Sequence, residues 1–288
     1  MTQAETNRRV SIITPSLNKV AFVRRTVESV LSQDYRNIEH IVIDGGSTDG
    51  TLEILRGYKH LKLVSEPDDG QTQAINKGLR MATGSIFTWL NADDFLFPDA
   101  VSRAVGAFQD FPKAHFVYGD FEVFDGQGRM IKLVKVIDYD RNILIYGRNL
   151  INQPASFFRK EVIDSLGMLD EGLVFCMDYD LWVRAALEGM NFLNIRQPLA
   201  GIHLYSGSKM MDFTDKLLIE TRQILNNNGL LWFENNDILN KAAFFSLYYA
   251  YKFKCFFKRL MQRKELRFVM AMQMARRKMN ESTGSRAR

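Results

Sequence analysis

Strand-like and helix-like segments alternate through the first 110 residues, and this alternation constrains the fold more than any other feature of the sequence. The strand-like segments are short apolar runs, whereas in the helix-like segments apolar side chains recur every three or four residues. We predict strands at 10–15, 38–43, 61–64 and 85–90, and helices at about 20–33, 51–57 and 71–81. Because such an order forms parallel βαβ units, the sequence predicts an α/β fold with a doubly wound, mixed but mainly parallel sheet flanked by helices.

Length and cysteine content narrow the class of protein. The chain has 288 residues, 46% of them apolar, which suffices for one large core with an appendage. The two cysteines, Cys176 and Cys255, are too few for a disulfide framework and lack metal-ligand spacing. The first nine residues are polar, and no uninterrupted apolar run approaches the roughly 20 residues of a membrane-spanning helix. We therefore expect a cytoplasmic protein.

The formal charge of +5 is unevenly distributed along the chain. Residues 241–288 carry six lysines and seven arginines against two glutamates, a charge of +11, so the first 240 residues carry −6. Aromatic side chains are interleaved with these cations. Such a segment is either a helix that packs its aromatics on the body, or an interfacial helix drawn to anionic lipid. Nucleic-acid binding is not expected, because the acidic body offers no second contact face.

Acidic and small polar side chains lie at the ends of three predicted strands. Thr14 and Asn18 belong to the first, Asp44 to the second, and Asp93 and Asp94 to the fourth. Ligands bind at the carboxyl ends of strands in open α/β sheets. Mg²⁺ and Mn²⁺ take oxygen ligands from one or two carboxylates and from a substrate's phosphates. Although paired acids alone are more often loop structure, their convergence with the other strand ends predicts a ligand site.

Two familiar loop motifs are excluded. Counted from Asp44, the twelfth position of a calcium loop is Leu55, where a bidentate Glu would be required. Neither G-x-x-x-x-G-K nor G-x-G-x-x-G occurs at the first strand–helix turn. A bound nucleotide must therefore be held by other groups.

Four motifs in this order resemble those of the family 2 glycosyltransferases with a GT-A fold. Each lies at a turn between a strand and a helix, and the resemblance covers roughly residues 8–212. The motifs are Thr14-Pro15-Ser16-Leu17-Asn18, Asp44-Gly45-Gly46-Ser47-Thr48-Asp49-Gly50-Thr51, Asp69-Gly70 with Asn76-Lys77-Gly78, and Asn91-Ala92-Asp93-Asp94.

The resemblance implies an inverting transferase that uses a nucleotide-sugar donor, with Mn²⁺ or Mg²⁺ on the diphosphate. It implies that Asp44 binds the base and that Asp93 binds the metal, with Asp94 as a competitor for that role. Asn91 stands where the family motif begins with Asp, which alters the expected ribose contact. The implied nucleotide-binding residues are Thr14, Pro15, Asn18, Asp44, Gly45, Ser47, Asp69, Gly70, Asn76, Asn91, Ala92 and Asp93.

A second acidic segment begins a predicted helix near Asp178. An Asp at a helix start is by itself an ordinary cap for free N–H groups. An inverting transfer, however, needs a carboxylate that takes the proton of the acceptor hydroxyl. In the resembled family this base is the Asp of a Glu-Asp pair at such a helix start, which corresponds to Asp178. Met177 stands in place of the Glu, and Asp180 is the alternative base.

The resemblance also implies roles for residues of the second half. Asn152 and Gln153 would face the acceptor, although both suit ordinary loop hydrogen bonds equally well. His203 and Lys209 correspond to a His and a Lys that lie over the donor phosphates in family members. His203 is accordingly a candidate metal ligand, and Ser208 and Lys209 are candidate diphosphate contacts.

We predict a catalytic domain at 8–212, with a nucleotide-binding half at 8–110 and an acceptor half at 111–212, and a helical basic extension at 213–288. Within the acceptor half, we predict strands at 116–120 and 122–124, a turn at 125–128 and a further strand at 132–136, which suits the mixed part of a sheet. The predicted function is transfer from a nucleotide-sugar donor, expected to be a UDP-sugar, to a glycan or lipid-linked acceptor in cell-surface polysaccharide or glycolipid synthesis. The basic extension would hold the enzyme on the inner face of the membrane.

Two other functions remain open from the sequence. A sugar nucleotidyltransferase would need a basic phosphate-gripping loop after the first strand, where only Lys19 is basic. A non-catalytic, membrane-associated nucleotide-sugar-binding protein is favoured if Asn91 and Met177 mark a site that has lost activity.

Overall fold

The predicted alternation of strands and helices is present in a computed structural model, which describes residues 8–146, 149–209 and 215–230 and isolated positions between 246 and 261. The strands are β1 (Val10–Ser16), β2 (Ile38–Asp44), β3 (Leu61–Ser65), β4 (Ile86–Trp89), β5 (Phe95–Leu96), β6 (Phe116–Asp125), β7 (Met130–Val134), β8 (Ser156–Arg159) and β9 (Phe192–Leu204). The helices are α1 (Val23–Leu31), α2 (Thr51–Arg56), α3 (Gln71–Met81), α4 (Ala100–Asp110), α5 (Arg141–Tyr146), α6 (Lys160–Leu166), α7 (Met177–Leu187) and α8 (Asp215–Asn227).

The described strands form one mixed sheet in the order β3-β2-β1-β4-β8-β6-β9-β5, with β7 paired to β6. The first four strands of this order are parallel, and β8 is antiparallel to both β4 and β6. β6 and β9 are parallel to each other. The predicted fold class, a mainly parallel α/β sheet flanked by helices, is confirmed.

A single large core joins the parallel strands to the antiparallel part of the sheet. Trp89 at the end of β4 stacks on Trp182 of α7 with ring centroids 6.1 Å apart, and both side chains are buried. Phe116 and Phe158 pack against the same pair from β6 and β8. Because apolar burial contributes about 25 cal/mol per Å², this aromatic cluster fixes α7 firmly against the end of β4.

Two predictions for the antiparallel region need correction. Residues 116–120 and 122–124 were predicted as separate strands, but β6 runs unbroken because Phe121 continues the pairing with Ala200 of β9. The partner strand of the hairpin was predicted at 132–136, whereas β7 spans Met130–Val134. The turn at 125–128 was correctly predicted, and the side chain of Asp125 stabilises it by accepting bonds from the backbone N–H groups of Gln127 and Arg129.

Only part of the predicted basic extension can be described. Helix α8 lies within it, and Ile224 and Leu225 of this helix are buried. Lys254 forms an ion pair with Asp140 at 2.7 Å, while most of residues 231–288 lie outside the described ranges. In the part of the chain that the structure covers, no helix is long and apolar enough to cross a membrane.

Candidate active site

A cavity of about 490 Å³ opens where β1 and β4 end. Its floor includes Trp89, and its walls come from the loops that follow these strands, from the loop before α7 and from the segment after β9. Twelve of the predicted site residues line it: Pro15, Gly70, Asn91, Ala92, Asp93, Asp94, Asn152, Gln153, Asp178, His203, Ser208 and Lys209. The structure thus places the two predicted acidic segments on one cavity.

Asp93 is paired with a lysine and a tyrosine. Its Oδ2 atom accepts hydrogen bonds from Lys19 Nζ at 2.7 Å and from the Tyr205 hydroxyl at 2.6 Å. Lys19 Nζ also bonds the Tyr205 hydroxyl at 2.6 Å. Burial alone would lower the pKa of Lys19, but attraction to Asp93 outweighs it and the pKa is raised. A positive charge therefore lies against Asp93 at the cavity wall.

Asp94 differs from its neighbour because its side chain is buried, with 6% of its surface exposed. Burial and the adjacent charge of Asp93 raise the pKa of Asp94 well above that of an ordinary carboxyl group. Asn91 Nδ2 donates to Asp94 Oδ2 at 3.1 Å, and Thr26 donates to the backbone oxygens of Ala92 and Asp94. These bonds fix the loop so that Asp93, rather than Asp94, presents the accessible carboxylate.

His203 uses both ring nitrogens within the protein. Nε2 lies 2.9 Å from Arg25 Nη1, which can only donate, so this nitrogen accepts. Nδ1 therefore carries the proton and donates to the backbone oxygen of Asp93 at 2.5 Å. Burial lowers the pKa of His203, in keeping with this neutral form. In the described structure both ring nitrogens of His203 therefore bond protein groups, and its role as a metal ligand stays a prediction.

Asp178 lies at the first turn of α7, as predicted, and faces the cavity. Burial raises the pKa of its carboxyl group to about 6. Oδ1 accepts from the backbone N–H of Tyr179 at 2.7 Å, whereas the described residues offer Oδ2 only a long contact of 3.4 Å with Asn149 Nδ2. One oxygen is thus held by the helix start while the other is available to a ligand.

Asp180, the alternative base, occupies a different environment. Its Oδ2 atom accepts from Arg184 Nε at 2.8 Å, one turn later on α7. Arg184 also donates to the backbone oxygens of Leu166 and Met168. This network ties α7 to the end of α6, so the structure gives Asp180 a bracing role and favours Asp178 as the site carboxylate.

Two cavity residues carry buried polar atoms without a hydrogen-bond partner among the described residues: Ser16 Oγ and Asn152 Oδ1. A buried polar atom left unpaired costs about 1–3 kcal/mol, so bonding to a ligand would recover that free energy. Gln153, in contrast, is buried with its polar group satisfied, because its side chain donates to the backbone oxygen of Trp89.

Lys209 belongs to a chain of bonds along the cavity wall. Its Nζ atom donates to Gln71 Oε1 at 2.5 Å and to the Val174 backbone oxygen at 2.8 Å. Gln71 in turn donates to Asn91 Oδ1 at 2.6 Å. Burial lowers the pKa of Lys209. Both Lys19 and Lys209 line this cavity, and two cations suit an anionic ligand such as a diphosphate.

Several residues predicted to contact a nucleotide do not line the cavity and brace its loops instead. Thr14 bonds His40, Asn18 accepts from the Thr48 backbone, and Asn76 holds Leu169. Asp44 is fully buried and accepts from the side chains of Ser47 and Ser65 and from the backbone N–H groups of Gly46 and Ser47. Asp44 thus stabilises the turn in the described structure, and its contact with a base stays a prediction.

The loop at 68–70 also contains a predicted nucleotide contact, Asp69, and it packs closely against another, Gly45. Asp69 is exposed and bonds Gln73, whereas the preceding residue, Asp68, lines the cavity. Gly45 permits the close approach of this loop, because a Cβ atom there would lie 2.7 Å from Asp68 Oδ2. Burial raises the pKa of Asp68.

Five residues that line the cavity or bond Asp93 were not predicted as site residues: Lys19, Asp68, Gln71, Phe175 and Tyr205. For Lys19 and Asp68 a signal existed, since each directly adjoins a predicted motif. Tyr205 lies 112 residues from Asp93, and only the path of β9 brings the two together.

Comparisons with known proteins agree with this geometry. A family model described as "Glycosyl transferase family 2" matches residues 11–167. An uncharacterized glycosyltransferase of Mycobacterium tuberculosis is 36% identical over 194 residues, which cover 65% of this chain and 71% of the relative.

Two solved structures share the fold. Residues 1–349 of S. aureus TarS in complex with UDP-GlcNAc superpose with a TM-score of 0.63 and 18% identity, covering 84% of this chain and 73% of that one. The mannosyltransferase PcManGT of Pyrobaculum calidifontis, in complex with GDP-Man and Mn²⁺, gives a TM-score of 0.56 and 18% identity, covering 88% and 84%. Because the family model spans more than half of the chain, and the fold and the strand-end cavity agree with it, the chain belongs to glycosyltransferase family 2.

Proposed function

We propose that this enzyme transfers a sugar, with inversion, from a UDP-sugar to a hydroxyl of a glycan or lipid-linked acceptor. The observation that carries the proposal is the presence on one cavity of an accessible carboxylate next to a lysine, Asp93 with Lys19, and of a second carboxylate with a raised pKa, Asp178. The first pair suits a diphosphate with its cation, and the second suits a general base.

The donor would lie with its diphosphate near Lys19 and Lys209. Charge-assisted hydrogen bonds from lysines to phosphate oxygens are stronger than neutral ones, and they stabilise a departing diphosphate. Asp68, Ser16 and the backbone at Gly70 line the same cavity and offer acceptors and donors to a nucleoside. A UDP-sugar is the preferred donor because the more similar of the two solved structures holds UDP-GlcNAc, although the other holds GDP-Man.

A divalent cation fits this site at Asp93. Its carboxylate lines the cavity, and Mg²⁺ and Mn²⁺ need only one or two carboxylates when phosphates supply the other oxygens. Asp94 fits less well because its side chain is buried and accepts a hydrogen bond from Asn91. Among the described residues no group of three His, Cys, Asp or Glu side chains surrounds a common point, so the donor itself would complete the ligand set. When bound, the ion would neutralise charge that develops on the diphosphate.

Asp178 would act as the base. As the acceptor oxygen forms its bond to the anomeric carbon, the bond from that carbon to the phosphate oxygen breaks and its electron pair stays on the diphosphate. The acceptor proton moves to Asp178 Oδ2, the oxygen that has one long contact among the described residues. A base with a pKa of about 6 is deprotonated at neutral pH and still accepts a proton effectively.

The acceptor would enter beside Asn149, Val174 and Phe175. Asn149 contacts Asp178, while Val174 and Phe175 form an apolar wall of the cavity. The basic extension favours an acceptor held at a membrane surface, such as a lipid-linked glycan in cell-surface polysaccharide or glycolipid synthesis.

A screen of donor hydrolysis tests this proposal. UDP-glucose, UDP-galactose, UDP-GlcNAc and GDP-mannose are incubated with the protein and Mn²⁺, and release of the nucleoside diphosphate is measured. We expect slow release of UDP from at least one UDP-sugar. When an acceptor that the enzyme uses is added, the parent protein should release UDP by transfer, and Asp178→Asn should not. Release of pyrophosphate from a sugar phosphate and a nucleoside triphosphate would indicate a nucleotidyltransferase instead. Donor binding without turnover under any condition would indicate a non-catalytic binding protein.

A further inference from the structure

A carboxylate from helix α8 reaches the loop that forms one wall of the cavity. Glu220 accepts hydrogen bonds from three consecutive backbone N–H groups: Oε1 from Val174 at 3.0 Å, and Oε2 from Phe175 and Cys176, each at 2.8 Å. The pairs are separated by 44 to 46 residues in sequence. Glu220, which lies beyond the catalytic domain predicted at 8–212, therefore contacts the wall of the candidate site.

These three N–H groups immediately precede α7. The cap residue of this helix, Cys176, makes no side-chain bond to the free N–H groups of the helix start. Glu220 supplies an acceptor and a negative charge there, where a helix dipole favours both. Met177 stands where the resembled family has the Glu of its Glu-Asp pair. Glu220 places a carboxylate at the same helix start from another part of the chain.

Further bonds tie the same loop to the cavity. Lys209 donates to the Val174 backbone oxygen at 2.8 Å, and Thr72 of α3 donates to that of Leu173 at 2.7 Å. The Cys176 thiol is buried and lies 3.6 Å from Thr221 Oγ1 of α8. The loop is thus held from α3, from the segment after β9 and from α8, and Glu220 supplies three of these bonds.

We infer that Glu220 is a positioning residue, which sets the place of Phe175 and of Asp178 in the cavity and makes α8 part of the catalytic unit. The role of Asp178 in this inference rests on the proposed function, whereas the contact of Glu220 with residues 174–176 does not. It moves the functional boundary from residue 212, predicted from sequence, to the end of α8 at Asn227.

The alternative is that α8 only packs on the core. Ile224 and Leu225 are buried, so the helix would remain docked through these side chains even without Glu220. The two accounts differ in what they predict for the loop at 174–176 when Glu220 is replaced. If Glu220 positions it, removing the carboxylate frees three N–H groups and loosens residues 174–176 while α8 stays in place.

The buried thiol of Cys176 reports on this loop. The experiment measures the rate of labelling by a disulfide reagent in a Cys255→Ser background, so that Cys176 is the single thiol. We expect labelling to be about tenfold faster in Glu220→Ala, because opening of the loop governs access, and intermediate in Glu220→Gln, which keeps one acceptor oxygen. Gln223→Ala, an exposed change on the same helix, should label at the parent rate. Equal rates in all variants would overturn the inference.

A second readout separates positioning from simple stability. For the UDP-sugar that the screen identifies, we expect turnover to fall about tenfold in Glu220→Gln while the Kd for UDP changes less than twofold. A lower melting temperature with unchanged turnover would show a purely structural role and contradict the inference. If no UDP-sugar is turned over by the parent protein, the proposed function fails, whereas the labelling rates still decide whether Glu220 holds the loop.

Discussion

Asp178 combines two features that a general base requires. One oxygen is fixed by the backbone of α7, and the other faces the cavity and has, in the described part of the chain, a single long contact to Asn149. Burial raises its pKa to about 6, high enough for efficient proton transfer and low enough to keep the carboxylate ionised at neutral pH. Asp180, two residues further along α7, instead forms an ion pair with Arg184.

The pH dependence of transfer follows from this pKa. Only the deprotonated base works, so turnover should fall as the pH drops through about 6 and level off above it. Asp178→Asn should lower turnover by roughly 10²-fold or more while leaving UDP affinity unchanged. Steady-state rates from pH 5 to 8 check both statements. Asp180→Asn serves as the matched control. If Asp180→Asn is inactive and Asp178→Asn is active, Asp180 is the base.

Substitutions of Asp68 and of its neighbour Asp69 provide a matched test of the proposed nucleotide binding. Asp68 lines the cavity, whereas Asp69 is exposed and bonds Gln73. A hydrogen bond to a charged group contributes about 1.5–3 kcal/mol, so Asp68→Asn should weaken UDP binding by about tenfold or more. Asp69→Asn should bind UDP like the parent protein. Calorimetric titration with UDP compares the two variants, and a larger loss of affinity in Asp69→Asn would favour the assignment made from sequence.

The limits of sequence inference are clearest among these polar residues. The motifs correctly located the strand ends that surround the cavity, because turn residues and strand patterns are local. They did not tell which side chains face inward. Asp44 bonds a backbone group three residues further on, as short polar side chains often do. Asn18 and Asn76 instead bond backbone groups that are 30 and 93 residues away, and no local pattern reveals such partners.

Helix α3 illustrates what an element contributes to the site. It was predicted at 71–81 and spans Gln71–Met81, because its apolar stripe and the flanking glycines define both ends. Its first residue, Gln71, bonds Lys209 and Asn91 on the cavity wall. Asn76, on the buried side, makes three bonds with the segment that leads towards α7.

Loss of the Asn76 bonds should destabilise the whole protein. The side chain is 1% exposed, and its bonds to the Leu169 backbone are 2.9 and 3.0 Å long. Asn76→Ala leaves buried backbone groups unpaired, so the free energy of unfolding should fall by about 2–3 kcal/mol. Arg80→Ala on the same helix removes only an exposed ion pair with Glu171 and should change it by less than about 0.5 kcal/mol. Urea unfolding of the two variants measures the difference, and equal losses would contradict this account.

The long strand β9 shows why other elements escaped prediction. It runs for 13 residues, but Arg196 has a positive φ of 54° and Pro198 has no N–H group. These two residues interrupt the alternating pattern on which strand prediction depends. Pairing with β6 over most of its length nevertheless holds β9 together, and this partner is 76 residues away at Phe116 and Phe192. Such long-range pairing has no local signature.

At the scale of the whole molecule, the chain separates an acidic body from a basic end. Residues 241–288 carry a charge of +11 against −6 for the rest. Where the side chains near the end are described, large apolar groups are exposed, among them Phe253 at 65% and Phe256 at 61%. Cations beside exposed aromatics suit an anionic lipid surface, and there a Lys or Arg contributes about 1 kcal/mol.

Vesicle binding tests this membrane hypothesis. The full chain should sediment with vesicles that contain anionic lipid at low salt, and release should be nearly complete at about 0.5 M salt because screening shortens the Debye length. Truncation after Tyr251 should abolish sedimentation without changing UDP affinity. If the full chain stays in the supernatant at low salt, the extension does not bind membrane and a soluble acceptor becomes the better hypothesis.

The central claim is that the cavity binds a nucleoside diphosphate through a divalent cation on Asp93, and calorimetric titration with UDP tests it most directly. The wild-type protein and Asp93→Ala are titrated with and without Mn²⁺, and Asp69→Ala serves as an exposed control. We expect Mn²⁺ to tighten UDP binding at least about tenfold, or 1.4 kcal/mol, in the wild type and in Asp69→Ala, but not in Asp93→Ala. Without Mn²⁺, the Asp93→Ala variant should bind UDP at least as well as the wild type, because Lys19 is released from its ion pair. An equal Mn²⁺ effect in Asp93→Ala and the wild type would contradict the account.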